Sequence, residues 1–555
     1  MKSTKKLGWC LGMVILLLLT GGCSQRLQVQ GQDQQTVAPS AATETTETQR
    51  ATPSTALVAT LPEPPDSLNP RQAANRSALR LLNAISEGLV RMGADGRISV
   101  GSGLAENLNI DASRTQYTFT LRDTSWSDGT PLTADDFVRA WREAVDPRNQ
   151  SPHARLFFPI KNAETIFNLT DESQLEQRLP ELGVQAIDSR TLQITLEEPY
   201  EPFVRQLVLP AFFPAPPQAH DRDPLPAIGP FRFSTIPNAQ GYELVRNEHY
   251  WDSGSVRLDK LSFRLTASWR ERLDRFEEGK IQWMDLPLSA VQTFKDKDWI
   301  RSESQGVVWY LVFNTARQPF QDVRLRKALS LAVDRLQLSQ ATLQQGAVPA
   351  TGLTPPGILT PLGESFAGQI NLLPERAELE QAKNLWSSAE GAPKSISLVG
   401  AEEVKPLLET IAQMWEKNLG LSVEVLAENT ESRVNRAISG DFQVMVDYWV
   451  ADYNDPLTFL RLMVTDGLFN DSGWGKSQFD QLVDKGRSEA DPSKRHQAML
   501  QAEELLLAMD GSDNLPIAPL CWPVFYYAVN PQLRGAIYSP VGSDVEFKYA
   551  YFVEP

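Results

Sequence analysis

Two short stretches alternate polar and apolar side chains, residues 116–122 (QYTFTLR) and 191–197 (TLQITLE). A period of two predicts half-buried strands, because successive side chains of a strand face opposite sides. Elsewhere the period is near 3.6. Over residues 403–419 the apolar positions Val404, Leu407, Leu408, Ile411, Met414, Trp415 and Leu419 fall on one helical face, and Gly420 is placed to end the helix. Residues 395–399 before it, and the alternating Leu421, Val423 and Val425 after it, complete a β–α–β unit and predict a parallel sheet. Thr133, with Asp136 three residues on, opens a helix that Asp146-Pro147 stops near Val145, and Asp322 caps another through Leu325, Ala328, Leu329 and Ala332. Leu500, Glu503, Leu506 and Leu507 mark a further amphipathic helix. No repeat with a period of roughly 20 to 50 residues is apparent.

The N-terminus follows a different pattern. Lys2, Lys5 and Lys6 precede an apolar core over residues 7–19, too short for a transmembrane helix of about 20 residues but typical of an export signal. It runs into Leu19-Thr20-Gly21-Gly22-Cys23-Ser24, which resembles a bacterial lipobox, although Thr20 stands where Leu or Val is usual. Cys23 is therefore expected to carry lipid and become the new N-terminus. Residues 24–57 are rich in Gln, Thr, Ser and Ala and read as a flexible tether with a reach on the order of 30 Å.

Composition narrows the function. A chain of 555 residues with 42% apolar side chains needs two or three cores. A net charge of −16, or −19 once residues 1–22 and their three lysines are removed, excludes a non-specific nucleic-acid binder. Three cysteines, Cys10, Cys23 and Cys521, build neither a disulfide framework nor a Cys-rich metal site. His153, His220, His249 and His496 show no helical zinc spacing. Gly475-Lys476-Ser477 lacks the earlier glycine of a phosphate loop, since Asn470 occupies its place, and no Gly-x-Ser-x-Gly elbow occurs. Cys521, between Leu520 and Trp522, reads as a packing thiol. The residues point to no enzyme, cofactor or metal.

Four blocks do point somewhere: Glu87-Gly88-Leu89-Val90; residues 117–122 with Trp126-Ser127-Asp128-Gly129-Thr130 and its continuation to Phe137; Phe313-Asn314-Thr315 with residues 320–329; and Trp449-Val450-Ala451-Asp452-Tyr453-Asn454-Asp455-Pro456. Their order and spacing resemble the extracellular solute-binding proteins of family 5, the oligopeptide-binding group of ABC importers, over residues 58–555. The resemblance implies an α/β fold of the bilobed periplasmic-binding-protein type II clamshell, with an extra domain in the N-terminal half. Lobe I would comprise residues 58–97, 223–306 and 526–555, the extra domain 98–222, and lobe II 307–525.

The resemblance also implies a peptide ligand, ABC permease subunits as partners, a membrane contact through the lipid anchor, and a monomer outside the cytoplasmic membrane. Asp452 matches the aspartate that pairs with the peptide's α-amino group in oligopeptide-binding relatives. It sits among Tyr448, Trp449, Ala451 and Tyr453, after an apparent strand, where α/β proteins place ligand sites. The bland alternative is a turn or cap residue beside Asn454-Asp455-Pro456. Backbone contacts are expected from Ala74, Asn75 and Arg76 on one lobe and from residues 446–452 on the other. Three positions depart from close relatives: Val446 replaces an arginine that meets a ligand carboxylate, His153 replaces an aromatic, and Tyr448 replaces a small residue. A same-fold receptor for a cell-wall peptide, metal chelate or sugar, and more remotely a secreted hydrolase, remain as other readings.

Overall fold

A computed structural model describes residues 55–216, 225–238, 240–266, 268–294, 296–341, 346–510 and 512–554. The export signal, Cys23, His220 and almost all of the tether lie outside them. The far end of the expected tether is already folded, since Ala56 and Leu57 open the strand Ala56–Leu61 and Leu57 is fully buried.

One large sheet runs through both halves of the molecule. In one half, Ala56–Leu61 lies parallel to Lys260–Leu265, which continues antiparallel through Gly241–Arg246 to Phe231–Phe233. In the other half the order is Ser422–Glu428, Ser395–Ala401, Val444–Val450 and Val307–Phe313. The two halves share a single long strand, Ile517–Val529. Its first part pairs with Val307–Phe313, from Val312↔Ile517 to Trp309↔Cys521. Its second part pairs with Trp283–Leu286 and with Ile300–Ser304, the latter through Ser304↔Val524 and Glu303↔Phe525. The chain passes between the halves twice, along this strand and through Gln305-Gly306. Gly306 takes φ +65°, and a Cβ there would lie 2.4 Å from the Pro540 carbonyl oxygen, so only glycine fits the crossing.

The patterns visible in the sequence explain each half. Ser395–Ala401 and Ser422–Glu428 are parallel, linked by the helix Lys405–Leu419, which ends at Gly420 in the left-handed region. Leu407, Leu408, Ile411 and Trp415 bury its apolar face, and the Trp415 indole N–H donates to the Leu329 carbonyl (2.9 Å), fixing it to the helix Val323–Leu331. Each such side chain stabilises by about 1.5–3 kcal/mol when fully buried. The Asp322 carboxylate accepts the Arg324 N–H (2.9 Å), as a cap should.

The alternating stretches pair with each other. Gln116–Leu121 and Thr191–Thr195 are antiparallel neighbours in a separate sheet completed by Ala105–Ile110 and Val184–Asp188. Tyr117, Phe119, Leu192 and Ile194 point from it into a core that includes the helix Ala134–Val145. Asp136 accepts the Thr133 N–H (3.0 Å) at that helix's start.

Candidate functional site

The strand Val444–Val450 lies in the centre of its half-sheet, and its C-terminal end meets the crossing between the halves. Beyond it, the Ala451 N–H donates to the Gly306 carbonyl (2.9 Å), so the next residue, Asp452, stands beside the crossing. The short helix Leu457–Leu460 and the turn Arg461–Met463 then fold the chain back on Asp452. Arg461 Nη2 meets its Oδ2 at 2.5 Å, and Thr458 Oγ1 donates to the same oxygen at 3.3 Å. The Asp452 N–H donates to Thr458 Oγ1 (3.1 Å). Among the described residues, none forms a hydrogen bond with Oδ1. The side chain is 12% exposed, and burial pushes its carboxyl above the usual range, with Arg461 and Thr458 opposing that rise.

The turn-forming role that Asp452 might have had belongs to its neighbours. Asp455 is fully buried, accepts the Leu457 N–H (3.1 Å) and takes a two-pronged pair from Arg495 (2.8 and 2.8 Å). Arg205, from the short helix Phe203–Gln206, donates to the Leu359 and Thr360 carbonyls (2.9 and 2.7 Å) and to Asp455 at 3.3 Å. Asn454 Oδ1 accepts the Leu359 N–H (2.7 Å). The loop holding Asp452 is thus clamped from several sides, which fixes where Oδ1 points.

The structure sorts the other expected residues differently. Val446 is 1% exposed and packs in the core opposite Leu311; it lines no cleft, because this central strand is covered on both faces. Trp449 is buried against Phe469 (centroids 4.8 Å), its indole N–H on Thr458 Oγ1 (3.3 Å). Tyr453 and Ala451 are buried too, and Tyr448, half-buried, stacks on Trp309 at 4.7 Å. These side chains support the site; Asp452 is the one that presents a functional group.

Along the strand itself, Ser395–Ala401 pairs only at Leu398↔Val444 and Val399↔Met445. Past Met445, no strand among the described residues runs along that second edge.

On the opposite half, Ala74, Asn75 and Arg76 form no strand. Both amides before the helix Arg76–Ile85 donate to Asp66 Oδ2 (2.9 and 3.0 Å), and the Asn75 side chain caps the helix by accepting the Ala78 N–H (2.9 Å). The Ala74 and Asn75 amides are therefore already used. His153 places its Nε2 2.7 Å from the Ala73 carbonyl oxygen, and burial lowers its pKa; it braces this loop. Thr458 and Arg461 were not foreseeable as site residues from Asp452's own block, although both lie within nine residues of it.

The sequence pattern of the middle part of bacterial extracellular solute-binding proteins, family 5, matches residues 99–471. The chain belongs to this family. As a family 5 protein it is 30% identical over 500 residues to the periplasmic murein peptide-binding protein MppA of Escherichia coli, covering 86% of this chain and 90% of MppA. It is 28% identical over 510 residues to the oligopeptide-binding protein OppA of Bacillus subtilis, covering 88% and 91%. A solved structure of MppA in its unliganded open form matches with a TM-score of 0.77 at 28% identity, covering 90% of this chain and 97% of that one. Peptide-bound OppA of Listeria monocytogenes matches at 0.64 and 25% identity, covering 90% and 100%. The fold is the bilobed α/β clamshell of these proteins.

Burial of Asp452 has a pH signature. Because its folded-state pKa lies above the unfolded value, ionising it costs stability. Compared with Asp452→Asn, which cannot ionise, the wild-type protein is expected to lose stability as pH rises from about 3.9 through the raised folded-state pKa, and to lose no more above it. Denaturant unfolding of both proteins between about pH 4 and pH 7 measures the difference; a wild-type advantage that grows with pH would contradict it.

Proposed function

We propose that this family 5 protein captures peptides outside the cytoplasmic membrane by their free amino terminus and delivers them to an ABC permease. The observation that carries the reading is Asp452: a carboxylate pinned through Oδ2, with Oδ1 open, at the C-terminal end of a central strand beside the crossing. An ammonium leaving water needs a full counter-charge, and a fixed, partly desolvated carboxylate supplies one. The second edge of Val444–Val450 past Met445 would accept an extended peptide as an added strand, a mode that reads main chain and tolerates any side chain. Relatives named for oligopeptide and murein-peptide binding support the peptide class.

In this reading the lobes are residues 58–97, 223–306 and 526–555 against 307–525, with 98–222 as the extra domain, and the receptor works as a monomer. It is read as a binding protein, as relatives named for peptide binding support; Cys521 is fully buried, and burial pushes its thiol to about 12, which suits a packing role. Cys23 would hold the mature protein to a membrane, in the periplasm or at the cell exterior.

Asp452→Ala is expected to weaken peptide binding by about 100-fold, or about 2.7 kcal/mol; unchanged affinity in calorimetry would sink the assignment. Cys23→Ser should move the protein from the membrane fraction to the soluble fraction, and a variant that still sediments with membranes would count against lipidation.

A further inference from the structure

We infer that Arg76 takes up the ligand's carboxylate, so that the receptor selects short peptides with both ends free. The inference rests on the peptide reading above and supplies what Val446, sealed in the core, cannot.

Arg76 is the first residue of the helix Arg76–Ile85, and its side chain is 24% exposed. Its guanidinium carbon lies 4.1 Å from the centre of the Phe525 ring, on the strand shared by the two lobes. A planar cation lying on an aromatic face keeps its donor edges available. Its acidic neighbours engage it through one nitrogen, Nη1. The fully buried Arg80 already binds both of them, Asp285 at 2.6 and 2.8 Å and Asp544 at 2.5 and 2.7 Å. Arg76 Nη1 donates to Asp544 Oδ2 at 3.4 Å and lies 3.5 Å from Asp285 Oδ1, long contacts beside those of Arg80. Its Nε and Nη2 form no hydrogen bond among the described residues. Arg272 also faces Asp285, so three guanidiniums surround two buried carboxylates. Glu63 also lies near Arg76, and burial raises its pKa against the pull of Arg76; Asp66, close by, is bonded to the Ala74 and Asn75 amides. A guanidinium with Nε and Nη2 open offers the two-pronged donor edge that a carboxylate takes.

Placement agrees with chemistry. The Asn75 side chain donates to the Pro64 carbonyl (2.8 Å), which sets Arg76 at the C-terminal end of Ala56–Leu61, as Asp452 is set at the end of Val444–Val450. Both charges border the crossing: Ala451 is bonded to Gly306, and Arg76 covers Phe525, the partner of Glu303. Gly306 and Glu303 are three residues apart, about 10 Å along a strand. An extended peptide rises by the same amount per residue, so with the reach of two side chains the span suits about three to five residues. Since both points border the hinge, closure alters their separation little.

Calorimetric titration of the full protein with trialanine, its C-terminal amide and its N-acetyl derivative tests this. The free acid is expected to bind at least about tenfold tighter than the amide. Arg76→Gln should bring the two within about twofold while the amide's affinity holds, and Arg76→Lys should keep part of the preference. Equal binding of acid and amide by the wild-type protein overturns the assignment without recourse to any variant; weak binding of the N-acetyl form would then leave the amino-terminal reading standing. Failure of all three to bind overturns both.

Discussion

The strand Ile517–Val529 is the constraint on which the rest of the structure depends. It is hydrogen-bonded to Val307–Phe313 in one lobe and to Trp283–Leu286 and Ile300–Ser304 in the other, so neither lobe can shift without using this backbone. Its ladder is irregular at the register shift between Trp309 and Tyr310, and the crossing beside it turns at Gly306, so a rotation of the lobes would fall on these residues. A motion confined to so few residues is a hinge. Asp452 on one side and Arg76 on the other both sit next to it, so a ligand touching both would bias the lobes toward closure with little lever arm to strain.

The charged groups at this hinge are held by others that never meet a ligand. Arg80 between Asp285 and Asp544, and Arg495 on Asp455, are buried pairs with near-complete hydrogen bonding. Such pairs add little net stability over apolar packing, but breaking one costs about 3–5 kcal/mol. Their contribution here is geometric: they leave Arg76 and Asp452 each with an open edge and little freedom to turn it away.

Much of this was legible in the sequence where the signal is local. The alternation at residues 116–121 and 191–195, the helix ended by Gly420 and the caps at Thr133 and Asp322 depend on near neighbours, and they formed as read. Asp452 stood out for its setting at a strand end. Val446 misled because a spacing of six residues from Asp452 says nothing about which face is buried when both are covered. Arg461 is hidden by the chain reversal that returns it to Asp452; Arg76 is expected for its backbone alone, since its side chain's contact with Phe525 comes from the far end of the chain. Ala74 and Asn75 read as a ligand edge from the sequence, but Asp66, eight and nine residues before them, holds their amides.

Small-angle X-ray scattering with and without saturating trialanine tests the central claim most directly. The account predicts that the radius of gyration of the wild-type protein falls when peptide is added and that the Asp452→Ala protein shows no change at the same concentration. A wild-type radius that stays constant while calorimetry records binding would contradict a clamshell that closes on its ligand.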